Sequence, residues 1–282
     1  MSFFRKNIDK SRVIAAIEED STLTSDERFL SKSLVWVLAE TYAERDFKEC
    51  EIFYIEESFK TELVAGTIDL VMRVKNPIYL PKNSAGKILI VDWKTTNSST
   101  FDKDFKNRYT DSWQWKIYSK YAKSDLFEYR CIGKSSGDTI EILLEPDKDK
   151  NDINVFTYLS QLQDMKLALE EYSESPWPKH MPAACNTYGK KCPFLEICQD
   201  NIYVEGVDIK EPLHYTSIET FLTCPERYRL GEIIREKYGL SVGETSDTAI
   251  GSAVHRGMAE IYNQIMDMQK NDINSQIFKS KV

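Results

Sequence analysis

The stretch Lys87-Ile88-Leu89-Ile90-Val91-Asp92-Trp93-Lys94 decides how this chain folds. Four consecutive apolar residues bounded by turn signals suit a strand covered on both faces. The run ends in Asp-x-Lys. Strand alternation puts Asp92 and Lys94 on one face, so a carboxylate and an ammonium share the end of a buried strand. Upstream, 66–74 reads as a second strand and carries Gly66-Thr67-Ile68-Asp69. Asn76-Pro77 and Pro81–Gly86 make the connection between the two strands a turn-rich loop. Carboxylates at the ends of adjacent strands can share a divalent cation, and Mg2+ takes such oxygen ligands while keeping several waters. Asp69, Asp92 and the Trp93 carbonyl are the candidate ligands. Lys94 is placed to orient or deprotonate a water, or to balance charge on the phosphate.

Downstream, a helix is expected over about 109–123, with Gln114 and Tyr118 four apart and so on one face. From Lys94 to Lys123 there are seven basic and three acidic residues, within a chain of net charge −8. Lys103, Lys106, Arg108, Lys116 and Lys120 are candidate phosphate contacts, and a solvated helix face is the other reading. Trp113, Trp115, Tyr118 and Tyr121 could stack bases or pack the core.

Further periodicities place a helix at 24–44 behind the capping-box pattern Thr24-x-x-Glu27. Strands are expected at 51–55, 127–133 and 139–145, a helix at 156–169, a loop over 175–201, and helices at 216–236 and 246–268. Ile250, Val254, Met258, Ile261 and Ile265 form the apolar stripe of the last helix. The 282 residues show no internal repeat. No apolar run approaches the roughly 20 residues of a membrane span. The acidic balance, pI near 5.2, argues against a protein that coats nucleic acid through bulk charge. With no apolar leader in the first residues, the expected setting is the cytoplasm, and the six cysteines read as thiols or metal ligands.

Gly-x-x-Asp, Asp-x-Lys and Gln-x-x-x-Tyr, in this order, resemble the active site of PD-(D/E)xK nucleases of the RecB-like branch. The resemblance covers roughly 24–268. It implies an α/β, restriction-endonuclease-like core: a small mixed sheet flanked by helices, with a cysteine-rich cap. It also implies Mg2+- or Mn2+-dependent cleavage of DNA, single-stranded or at ends, in recombination, repair or phage DNA processing, with a helicase or recombination protein as possible partner. Catalytic roles fall on Asp69, Asp92, Lys94, Gln114 and Tyr118. The family's Cys-Pro-x-x-Tyr and Gly-x-x-x-His segments match Cys224-Pro225-Glu226-Arg227-Tyr228 and Gly251-Ser252-Ala253-Val254-His255. His255 is thereby a metal ligand.

Cys185, Cys192 and Cys198, spaced Cys-x6-Cys-x5-Cys, resemble the cysteine triplet of the iron–sulfur members, such as the AddB subunit and the CRISPR-adaptation nucleases. Cys224 is the implied fourth ligand of a [4Fe–4S] cluster, with Zn2+ the alternative. The x6 spacing departs from the x2 common there. Cys50 and Cys131 read as buried thiols. The segments that carry Cys224 and His255 follow the catalytic strands instead of preceding them. Circular permutation within one domain (24–174 core, 175–210 cysteine-rich loop, 211–282 permuted helices) explains that order. A tandem or cropped chain explains it too. A non-catalytic DNA-binding module and a structural zinc protein are the functional rivals.

Overall fold

The computed structural model of the 282-residue chain describes residues 7–19, 22–61, 64–98, 101–171, 185, 192, 194–195, 198, 213–238 and 246–279. In chain order the elements are α1 (Lys10–Glu18), α2 (Ser25–Glu49), β1 (Cys50–Lys60), β2 (Val64–Val74), β3 (Ile88–Thr96), α3 (Lys103–Asp111), α4 (Trp113–Ala122), β4 (Leu126–Gly133), β5 (Thr139–Leu144), α5 (Lys148–Glu171), β6 (Leu213–His214), α6 (Tyr215–Thr223), α7 (Pro225–Tyr238) and α8 (Ser246–Lys279). Contacts divide the chain into two compact units, Met1–Ser58 with Thr67–Lys148 and Thr245–Val282, and Phe59–Gly66 with Asp149–Glu244.

The first unit holds the mixed sheet, in the order β1-β2-β3-β4-β5. β2 and β3 are antiparallel, with Leu70 opposite Val91. β3 and β4 are parallel, with Asp92 opposite Tyr129, and α3 and α4 form the crossover between them. β4 and β5 are antiparallel. Leu89, Ile90 and Val91 are fully buried, as their apolar run predicts. α2 begins at the expected capping box: Thr24 Oγ1 accepts the Glu27 N–H, and the Glu27 carboxylate accepts the Thr24 N–H. The helix runs to Glu49, beyond the expected end at 44, and passes directly into β1.

The expected single helix over 109–123 is two. The chain turns at Ser112, whose hydroxyl accepts the Gln114 N–H at 3.2 Å and starts α4. Gln114 thereby lies in the first turn of a short helix, not in the middle of a long one.

α8 packs along α1 and α2. Its stripe Ile250, Val254, Met258, Ile261 and Ile265 is buried, as the periodicity predicts. Each such side chain contributes about 1.5–3 kcal/mol by leaving water. Gly257 lets the helices close, because a Cβ there would stand 2.7 Å from Val35 and 3.0 Å from Ile17.

In the second unit, Val64 and Ala65 pair in parallel with Leu213 and His214 of β6. The expected helix at 216–236 is interrupted at Cys224. Pro225, which lacks an N–H, opens α7. Val155, Leu159 and Leu162 make the buried face of α5, whereas Met165 is exposed. Most of 175–210 lies outside the described residues.

Candidate active site

β2 and β3 carry the two carboxylates of the site. Asp69 lies in the middle of β2 and Asp92 near the C-terminal part of β3, and both are buried. Asp69 Oδ2 accepts the Trp93 N–H at 2.8 Å, which ties the two strands together at the site. Lys94 Nζ stands 2.7 Å from Asp92 Oδ2, as the shared strand face predicts. Gln114 Nε2 donates to Asp92 Oδ1 at 2.6 Å. Tyr118, one turn after Gln114, is buried. Asp92 Oδ2 is buried, and the Lys94 ammonium is its neighbour.

His255 enters from α8. Its Nε2 donates to the Trp93 carbonyl at 2.9 Å, and its Nδ1 lies 3.4 Å from Asp69 Oδ2. The two residues are 162 positions apart in sequence. Gly251, one turn earlier on α8, faces β3. A Cβ there would stand 3.3 Å from Thr95 Oγ1, so a glycine lets the helix lie close to the strand.

Glu56 joins the site although the sequence reading passed over it. Among the described residues, Glu56, Asp69 and His255 form one group whose ligand atoms all lie within 4.8 Å of one another. Glu56 sits in β1 with φ +52, the left-handed region that non-glycine residues seldom adopt. That turn of the backbone is invisible in a strand pattern. The only signal was the acidic pair Glu56-Glu57 interrupting an apolar strand.

The electrostatics describe a site short of positive charge. Burial and then the neighbouring Asp69 push Glu56 up to about 7. Burial pushes Asp92 up to about 6, against Lys94 and with Asp69. For Asp69, burial works upward, but the charge and hydrogen bond of His255 outweigh it and the carboxyl is held low. Burial works against the charged His255 ring, yet Asp69 outweighs it and lifts the ring to about 9. Carboxylates crowded together so that two of them are pushed up toward neutrality fit a divalent cation. Carboxylates, a backbone carbonyl and one imidazole are the donors that Mg2+ and Mn2+ accept.

Lys103, Lys106 and Arg108 are exposed on α3, and Lys116 and Lys120 are half-buried on α4. Lys116 lies over the rings of Trp113 and Trp115, at 4.6 and 5.7 Å. The indole N–H of Trp115 donates to the Thr110 carbonyl.

In the second unit, the Cys192 N–H donates to the Cys185 carbonyl at 2.9 Å, closing the x6 loop back on itself. The Cys198 N–H donates to Phe194, and Cys224 caps the end of α6 through Thr220. All four cysteines are free thiols, and Cys224 is buried. Burial, and then the proximity of Cys192 and Cys224, raises the Cys185 thiol. Among the described residues, no three of these sulfurs lie within 4.8 Å of one another. Cys50 and Cys131 are buried within strands, as expected.

With a carboxylate on each of two adjacent strands and a lysine one pleat further, the mixed sheet has the build of a restriction-endonuclease-like hydrolase. A profile of the PD-(D/E)XK nuclease superfamily matches residues 4–199 and 212–280. The chain belongs to that superfamily, and its class is that of a nuclease. No curated protein matches the chain. Solved structures match it, among them one described as "Crystal structure of SSO0001", 16% identical over 54% of this chain and 72% of its own. The TM-score of 0.28 is too low to bear on the fold.

Proposed function

We propose that this chain is a Mg2+- or Mn2+-dependent deoxyribonuclease of the RecB-like branch, acting on single-stranded DNA or DNA ends. The observation that carries the reading is the meeting of His255 with the Trp93 carbonyl and Asp69 inside one polypeptide. It supports circular permutation over a tandem or cropped chain.

In this reading Asp69, Asp92, His255 and the Trp93 carbonyl hold the cation, and Glu56 joins them. The bound cation supplies Lewis acidity at the scissile phosphate and a water of lowered pKa. Lys94, held by Asp92, orients that water and balances the charge gathering on the phosphate. Gln114 fixes the rotamer of Asp92, and Tyr118 supports the helix that carries Gln114. The exposed lysines and Arg108 of α3, with Lys116 and Lys120 of α4, hold the strand by its phosphates. The paired Asp92 and Lys94 favour an enzyme over a non-catalytic binding module.

The four cysteines form the second part of the proposal, a [4Fe–4S] site. The likeness of the Cys185, Cys192 and Cys198 triplet to that of the iron–sulfur members favours a cluster over zinc. The setting proposed is recombination, repair or phage DNA processing in the cytoplasm.

The test is Mn2+-dependent cleavage of linear and circular single-stranded DNA by the parent, Lys94→Ala and His255→Ala. Loss of cleavage in both variants supports the permuted nuclease. Loss in Lys94→Ala alone removes His255 from the site. A folded, metal-replete parent that cleaves neither substrate puts the binding module first.

A further inference from the structure

Behind the site lies a second charged cluster to which the catalytic reading gives no role. Arg130, on β4, is fully buried. Its guanidinium donates to both oxygens of Asp46 on α2, to Glu128 at 2.8 Å and to the Tyr262 hydroxyl at 3.1 Å. The Tyr262 hydroxyl in turn donates to Asp46. Arg45 completes the cluster by donating to Glu128 and Glu141. The members come from α2, β4, β5 and α8, so the cluster ties the helix that carries His255 to the sheet and to its neighbour helix.

Two features connect this cluster to the site. Tyr262 follows His255 by seven residues, two turns along α8, so both side chains leave the same face of that helix. The Trp93 ring packs against the cluster, while its peptide belongs to the site. Arg130 lies over it at 5.0 Å, with Tyr262 at 5.8 Å and Tyr42 at 5.7 Å. The Trp93 peptide is the group whose N–H holds Asp69 and whose carbonyl meets His255. A buried ionic cluster contributes little net stability compared with apolar packing of the same volume. Its best-attested use is to specify register. A helix held only by an apolar stripe can shift along its axis or rotate at small cost. A hydroxyl that must meet a buried carboxylate and guanidinium cannot.

We propose that Tyr262, Asp46 and Arg130 are positioning residues for the metal site. They fix the register of α8 and the placement of the Trp93 peptide, so that His255 and the Trp93 carbonyl converge where Asp69 waits. The proposal rests on the nuclease reading. It predicts a defect in metal binding from residues that touch neither metal nor DNA.

The test is Tyr262→Phe, which removes one hydroxyl and keeps the ring against Trp93. Tyr42→Leu is run beside it, because it leaves Asp46, Arg130, Glu128 and Tyr262 in place and removes a ring that packs on Trp93. Cleavage is followed against Mn2+ concentration, and Mn2+ binding is read directly from the EPR signal of the free ion. The expected result is about a tenfold higher Mn2+ requirement, as when outer-shell partners of metal ligands are lost. The rate at saturating Mn2+ stays close to that of the parent. A merely destabilised protein loses maximal rate and keeps its Mn2+ dependence, and that outcome overturns the proposal. If Tyr262→Phe does not fold, Tyr42→Leu decides on the same readout. A parent that cleaves, beside folded variants with unchanged Mn2+ affinity, also overturns the positioning role while leaving the nuclease standing. A parent that neither cleaves nor binds Mn2+ overturns the nuclease reading and the proposal with it.

Discussion

Two charged clusters meet at Trp93, one at its ring and one at its peptide, and their carboxylates are supplied with donors to different degrees. Behind the ring, all four carboxylate oxygens of Asp46 and Glu128 have donors from Arg45, Arg130 or Tyr262. At Asp46 burial works upward, yet Arg130 outweighs it and the carboxyl is held below its ordinary range, while at Glu128 burial outweighs Arg130 and raises the carboxyl. In front, Glu56 and Asp92 are pushed up to about 7 and about 6, and Glu56 has only the charge of His255 to oppose its burial. A cluster that closes on itself can organise structure. A cluster left short of positive charge is suited to a cation from outside. The same residue types serve both ends, and the count of donors separates them.

The strongest test of this contrast removes the cation that closes the rear cluster. Arg130→Met leaves Asp46 and Glu128 buried without their principal partner. Stability is expected to fall on the order of 3–5 kcal/mol, measured by urea denaturation. An equal charge removed from the front cluster acts in the other direction. In metal-free buffer at neutral pH, Asp92→Asn is expected to raise stability, on the order of 1–3 kcal/mol, while abolishing cleavage.

The pH dependence gives the sign. The unfolded chain releases the Asp92 proton near 3.8, whereas the folded protein keeps it up to about 6. The native state therefore binds more protons across that window, and Asp92 costs stability as pH rises through it. Melting temperature measured against pH in EDTA is expected to show this loss in the parent and to lack it in Asp92→Asn.

The smallest expected effect sharpens the link between helix position and the site. Gly251→Ala adds a Cβ 3.3 Å from Thr95 Oγ1, tight enough to push α8 from β3 by a few tenths of an ångström. Alanine also favours the helix by up to about 1 kcal/mol. The melting temperature is expected to hold or rise while the Mn2+ requirement grows about two- to fivefold, since metal affinity depends on ligand placement. Thr95→Ala in the same chain is expected to restore it, because the crowded hydroxyl is gone. Thermal melts and Mn2+ titrations of the three variants check this.

Most of the sheet was legible because burial on both faces leaves an uninterrupted apolar run. Ile88–Val91 announces β3 in that way, and the two-residue period announces that Lys94 joins Asp92. Gln114 and Tyr118 were legible from helical spacing, but the break at Ser112 was not, since a single serine is as readily a helix surface residue as a cap. α2 outran its expected end because Phe47 and Glu49 bury against the protein, a tertiary effect that helical pattern does not carry. Asp46 and Arg130 read as ordinary surface charges in sequence. Only the partners they meet across 84 positions make them buried.

The sequence by itself determined the strands, the carboxylates and lysine on them, and the helical stripe beside His255, because each depends on spacing within a few residues. The tertiary structure alone decided that His255 reaches Trp93, that Glu56 turns into the site at a positive φ, and that Arg130 lies behind the Trp93 ring. These depend on which distant side chains fill the same volume and satisfy one another's charges. No local period records that.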